Sequence, residues 1–206
     1  MRMRKKKHAE ERIQVCIDSG YMQWNVLFEN DKPVHLEIGC GKGDFICSMA
    51  LKFPDVNFIA VEKSTNVVVI AMEKAKNLNL TNIKFIIADA KELEHHFKPE
   101  TISCIYLNFS DPWHKRYQQN NRLTSPVFLD IYKKFLKPNA KIILKTDNKD
   151  LFDFSVKTLP LNGFEIIDKT YDLYNSDFLN GNVQTEYEKK FVEQGVNICY
   201  LSAVLS

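Results

Sequence analysis

Residues 34–44 read Val34-His35-Leu36-Glu37-Ile38-Gly39-Cys40-Gly41-Lys42-Gly43-Asp44. Val34, Leu36 and Ile38 alternate with His35 and Glu37, and glycines then fall at every second position. Pro33 stands just before the run, where it opens a strand without breaking it. The pattern predicts a short buried strand, a sharp turn over Gly39–Gly43, and a helix through Phe45, Ile46, Met49 and Ala50 capped by Asp44. Glycine serves such a turn by adopting positive φ and by letting a ligand approach the backbone. Strand, glycine loop and helix together make the nucleotide-binding corner of a doubly wound α/β sheet.

The spacing of the glycines narrows the ligand. A dinucleotide site asks for Gly-x-Gly-x-x-Gly, so that a helix N-terminus holds a pyrophosphate. Here the third position of that pattern is Asp44, whose carboxylate would repel a phosphate. Glu37 before the glycines and Asp44 after them suit a ligand that brings positive charge. S-adenosylmethionine carries a sulfonium and an ammonium and no phosphate. The plain alternative is a glycine turn in an unrelated α/β domain.

The 206 residues are enough for one sizeable core. The expected division is a basic arm and lead-in helix over 1–30 and a single domain over 31–206. No apolar run reaches the ~20 residues that span a bilayer, and the N-terminus lacks the apolar stretch of a signal peptide. Cys16, Cys40, Cys47, Cys104 and Cys199 are odd in number and never spaced as Cys-x-x-Cys. That argues against a disulfide framework and a zinc site, and fits a reducing cytoplasm. The net charge is only +2, so affinity for nucleic acid must come from local patches. Residues 1–8 form one such patch, with five positive charges. A solubilising tail is its ordinary reading. Glu10–Cys16 reads as helical, and Tyr21, Trp24 and Phe28 as a lead-in that packs on the domain.

Further strands are expected at 57–62, 83–88, 102–109, 140–146, 164–167 and 196–205. With the first they make seven. Glu62 ends the second strand about 20 residues past the glycine loop, where an acid can accept ribose hydroxyls. A strand-end acid paired with Lys63 is the alternative. Asp89 follows the third strand, as an acceptor for an adenine amino group, as an N-cap, or as both. His95 and His96 read as surface residues. Beyond the fourth strand come Asp111-Pro112-Trp113-His114-Lys115-Arg116-Tyr117. A carboxylate, a rigid proline, an indole and a basic pair suit a nucleobase and its phosphate. Gln118–Arg122 reads as a polar, mobile loop. A helix from Pro126 carries Phe128, Ile131, Tyr132, Phe135 and Leu136 on one face, and Pro138-Asn139 stop it. Thr185–Lys190 is polar and aromatic and within reach of the same sheet edge as Asp111.

Six segments together resemble the bacterial tRNA (guanine-N7)-methyltransferases. They are 37–43, 60–62, 89–90, Phe109-Ser110-Asp111-Pro112-Trp113, Lys145-Thr146-Asp147-Asn148 and Thr185-Glu186-Tyr187-Glu188. The first three mark many methyltransferases and the last three this family. The resemblance implies a Rossmann-like class I S-adenosylmethionine-dependent methyltransferase fold, with a mostly parallel seven-stranded sheet and an antiparallel last strand. It implies that Glu37, Gly39, Gly41, Gly43, Glu62, Asp89 and Asp111 line the methyl-donor site. It also implies that Lys115, Asp147, Thr185, Glu186, Tyr187 and Glu188 hold the target guanosine, and that Tyr117, Gln118, Gln119, Asn120, Asn121 and Arg122 contact RNA. The implied substrate is the guanine of the tRNA variable loop, with no metal and no membrane. Monomer and homodimer are both open. The family usually has a proline after the tryptophan and a basic run ending in histidine. Here His114 and Tyr117 stand in those places, with Asp111 and Lys115 in register.

Guanine N7 offers a free lone pair, so attack on a methyl group requires no base. Positive charge develops on the purine, and Asp111 is the residue expected to orient the base and offset that charge. An amino-group methyltransferase is one rival, because Asp-Pro-Trp resembles the Asn/Asp-Pro-Pro-aromatic motif of such enzymes. A nicotinamide-dependent oxidoreductase and a non-catalytic RNA-binding module are the others.

Overall fold

The predicted strand Val34–Ile38, β1, lies third in a seven-stranded sheet. The computed structural model describes residues 8–21 and 28–206. The basic arm before His8, and Trp24, lie outside them. The remaining strands are β2 (Asn57–Val61), β3 (Ile83–Ile86), β4 (Ile102–Asn108), β5 (Leu136–Thr146), β6 (Phe164–Thr170) and β7 (Cys199–Leu205). Their order is β3-β2-β1-β4-β5-β7-β6. β1 to β5 pair in parallel, and β7 runs antiparallel to both β5 and β6, as expected. The chain winds outward from β1 to β3, then returns to start β4 on the other side of β1. That reversal leaves a crevice beyond the carboxyl ends of β1 and β4.

Helices cover both faces. Phe58 and Ala60 of β2 join a core with α1 (Ala9–Asp18), α2 (Asp44–Lys52) and α3 (Thr65–Asn77), through Ile13, Ile46 and Met72. Ile59 and Val61 point the other way, into a core with α4 (Pro126–Lys133) and α5 (Lys149–Leu161), through Phe128, Tyr132 and Phe152. Burial on both faces explains why β2 is apolar throughout rather than alternating. The lead-in helix α1 is fastened to α3 by Arg12 Nε donating to Glu73 at 2.6 Å. Tyr21 O accepts from Phe85 N at 3.0 Å, tying the same segment to the edge strand.

Three local expectations are corrected. Asp44 is not a cap: Gly43 takes that place in left-handed conformation, and Asp44 begins α2 with its carboxylate paired to Lys74 of α3. Phe135 and Leu136 are not helical. α4 ends at Lys133, and β5 starts at Leu136 with Pro138-Asn139 inside an irregular register against Ile102–Cys104. Proline has no N–H to give a ladder, and the irregularity accommodates it. Finally, Glu186–Glu193 forms a helix, α6, that the sequence reading did not include. Its signal is there in Thr185-x-x-Glu188, a capping box with both reciprocal bonds formed.

Candidate active site

A cavity of about 680 Å³ opens at the crevice. Gly39, Gly41, Glu37, Glu62 and Asp89 line one side, Asn108–Asp111 and Trp113 another, and Thr185–Tyr187 a third. The structure therefore gathers the four predicted acids and the start of α6 around one space.

The glycine loop is held by β2. Gly39 N and Cys40 N both donate to Val61 O, at 2.8 and 3.0 Å. Gly39 and Gly41 have φ of +82° and +57°, and a Cβ on either would meet open space. These two need glycine for conformation alone and present bare backbone to a ligand. Gly43 differs. A Cβ there would stand 2.6 Å from Ala71 Cβ, so this glycine lets α2 and α3 touch. It is buried and does not line the cavity, which corrects its expected place among ligand contacts.

Glu37 is 2% exposed at the end of β1. Asn108 Nδ2 donates to its Oε1 at 2.9 Å. Its Oε2 is buried without a hydrogen-bond partner among the described residues, as is Asn108 Oδ1. Enclosure in a low-dielectric site pushes the Glu37 carboxyl up to about 8, against the opposing pull of the Asn108 bond and the Lys145 charge. Glu62 is held at both oxygens, Oε2 accepting from Gly41 N at 3.3 Å and Oε1 from Ser64 N at 2.9 Å. Each oxygen keeps a lone pair free. Asp89 is the N-cap that the sequence allowed, its Oδ1 accepting from Lys91 N at 3.0 Å, and it also lines the cavity. Asp111 is exposed on the cavity wall.

The loop beyond β4 is conformationally unusual. Phe109 and Trp113 hold φ of +50° and +45°, a region costing about 1–3 kcal/mol for such side chains. Residues Arg116–Asn121 form a 3₁₀ turn rather than an open loop. Lys115 and Tyr117 are exposed outside the cavity, with Lys115 Nζ 5.9 Å from the Tyr117 ring centroid. Gln118 and Gln119 are half-buried, Asn120 is exposed, and Asn121 reaches the cavity wall. Arg122 is the exception. It is fully buried, with its guanidinium paired to Asp150, so it is no surface contact for RNA.

α6 is anchored from beneath. Glu188 is fully buried and paired with Lys145 of β5 at 2.6 Å. It also accepts from Tyr174 Oη at 2.9 Å and Asn182 Nδ2 at 2.5 Å. Burial lowers the Lys145 ammonium, and Glu188 opposes that shift. Glu188 is thus a strut, not a group open to a base, and Thr185 Oγ1 is occupied by its cap bond from Glu188 N at 2.9 Å. Glu186 reaches across the cavity mouth to Lys42 at 2.7 Å. Tyr187 is 59% exposed, its ring stacked on Phe109, which stacks on Phe191 in turn. Asp147 is half-buried at the end of β5 and, like Lys115, does not line the cavity. Sequence reasoning missed Asn108 and gave Lys145 no role. Lys145 had a signal, a lysine closing the apolar run Ile142-Ile143-Leu144.

The chain is similar to known methyltransferases along almost its whole length. A family described as "Putative methyltransferase" matches residues 31–201. The tRNA (guanine-N(7)-)-methyltransferase of Listeria monocytogenes is 44% identical over 88% of this chain and 84% of its own. That of Clostridioides difficile is 41% identical over 96% of both chains. Among solved structures, the 16S rRNA methyltransferase KamB is 13% identical, with a TM-score of 0.64 over 100% of this chain and 96% of that one. That similarity speaks for the fold alone. Identity at this level across nearly whole chains places the protein plainly: it belongs to the bacterial tRNA (guanine-N(7)-)-methyltransferase family.

Proposed function

We propose that the protein transfers a methyl group from S-adenosylmethionine to N7 of the variable-loop guanine of tRNA. The observation that carries the donor assignment is the unpartnered Glu37 Oε2, buried at the cavity among acceptors. A buried lone oxygen of a carboxylate, beside the equally unpartnered Asn108 Oδ1, fits an ammonium with several N–H donors. Glu62 keeps one lone pair per oxygen for two ribose hydroxyls. Asp89 has an oxygen for an exocyclic amino group. When bound, S-adenosylmethionine supplies an electrophilic methyl group on a sulfonium.

The remaining chemistry is positioning and charge. Guanine N7 needs no proton removed. As its lone pair bonds to the methyl carbon, the carbon–sulfur bond breaks and leaves a neutral thioether; positive charge moves onto the purine, and the Asp111 carboxylate on the cavity wall offsets it. Tyr187, exposed and backed by Phe109, offers a flat face for the base. Lys115 and Tyr117, outside the mouth, face the tRNA backbone. The base belongs to a folded tRNA, so it must leave its stack to enter.

Unmodified tRNA is incubated with methyl-labelled S-adenosylmethionine and digested to nucleosides. Label in N7-methylguanosine, reduced about a hundredfold in rate by Asp111→Asn, is the expected result. Label in a neutral N2- or N6-methyl nucleoside would assign the protein to amino-group transfer. RNA binding without any transfer would make it a binding module.

A further inference from the structure

Arg122 is the largest fully buried side chain in the described structure, and it is charged. Its Nε donates to Pro112 O at 2.8 Å and its Nη2 to Trp113 O at 3.5 Å. Nη2 also pairs with Asp150 in the first turn of α5. The guanidinium carbon lies 4.7 Å from the centroid of Phe154, one turn further along α5. The two carbonyls it holds belong to the two residues that follow Asp111. One of these, Trp113, has the left-handed φ of +45°, which a bulky residue keeps only where its surroundings fix it.

The geometry points to Arg122 as a positioning residue, which fastens the Asp111-Pro112-Trp113 turn to α5 and so holds the Asp111 carboxylate on the cavity wall. This rests on the reading of Asp111 given above. The planar fork of arginine can hold two carbonyls and a carboxylate at once, and a lysine ammonium cannot span the three in that plane. The polar stretch Tyr117–Arg122 thus divides in function: its first residues face outward, and its last reaches back under the reacting loop.

The test compares Arg122→Lys, Asp150→Asn, Asp111→Asn and the double variant Arg122→Lys/Asp111→Asn. Single-turnover methyl transfer is measured at saturating donor and tRNA, and tRNA affinity is measured against salt. Arg122→Lys should slow transfer by about ten- to a hundredfold, the scale of a misplaced reacting group, with the log–log salt slope unchanged. Asp150→Asn, at an exposed carboxylate, should slow it less and in the same sense; it carries the comparison if Arg122→Lys melts below the assay temperature. In the Asp111→Asn background Arg122→Lys should add less than about twofold, because the two act as one unit. A full transfer rate with weakened tRNA affinity would make Arg122 an RNA contact and overturn the proposal. Losses that multiply in the double variant would overturn it too, as a general effect on folding. A normal rate for Asp111→Asn alone would instead defeat the reading of the site. A slow Asp111→Asn beside a full-rate Arg122→Lys would defeat only the inference.

Discussion

Glu37 offers a test that activity measurements alone do not. Its carboxyl is enclosed and pushed up to about 8, so near neutrality the donor-free protein holds it mostly protonated. An ammonium can pair only with the ionised form. Donor binding must then expel a proton, about 0.9 per site at pH 7 if the pairing pulls the group well below that pH. Each pH unit below 8 costs about 1.4 kcal/mol of binding, so the apparent Kd should tighten about tenfold from pH 6 to pH 7. That window stays below the range where an α-amino group loses its own proton, about 7.7–8.0. Titration calorimetry in buffers of different ionisation enthalpy counts the protons. Glu37→Gln should bind more weakly, release none, and show no pH slope. The stability of the donor-free protein runs the other way. Because the folded value is raised, stability is full below about 4.5, where both states are protonated. It falls as pH rises toward 8, where only the unfolded chain has gained by ionising. Melting of the wild type should therefore drop between pH 5 and pH 8 more than melting of Glu37→Gln. A donor affinity flat between pH 6 and pH 7, with no proton released, would refute the pairing.

Glu62→Ala should weaken donor binding by about ten- to a hundredfold, through a lost charged acceptor worth ~1.5–3 kcal/mol; an unchanged Kd in calorimetry would remove Glu62 from the ribose. Gly43→Ala should cost about 2–5 kcal/mol in denaturant unfolding, from left-handed φ plus overlap with Ala71. Gly41→Ala carries only the φ cost, about 1–2 kcal/mol; equal losses would contradict the division between the glycines. Glu188→Gln leaves the Lys145 ammonium buried without its counter-charge and should cost about 3–5 kcal/mol. Lys145→Met with Glu188→Leu should recover much of that, and a loss below about 1 kcal/mol for Glu188→Gln would show that the strut matters little.

The alternation of Val34 to Ile38, the glycine spacing and the acids closing three strands make the sheet corner and its cavity legible in the sequence. Those features are local, and periodicity reports them. What stayed hidden was non-local. Arg122 and Glu188 stand in polar stretches expected to meet RNA and the guanosine, and only the fold shows that both are buried and paired with Asp150 and Lys145. A charge is buried when a distant partner meets it, and no spacing within its own segment reveals that partner. Asn108 was hidden for the same reason, being paired with Glu37 from the neighbouring strand. The helix end at Lys133 was misjudged because Phe135 and Leu136 continue the apolar spacing of α4 while serving the core from a turn and a strand.

Where the methyl group lands separates transfer to N7 from its rivals. A purine methylated at N7 carries a positive charge that weakens its imidazole ring toward reduction, after which aniline cuts the chain at that nucleotide. Unmodified tRNA treated with the protein and S-adenosylmethionine, then reduced and cleaved, should yield one new break at a variable-loop guanosine, absent when Asp111→Asn replaces the wild type over the same time. A methylated tRNA that gives no such break, with its label in a neutral methylated base, would contradict transfer to N7 and the charge-offsetting role of Asp111 together.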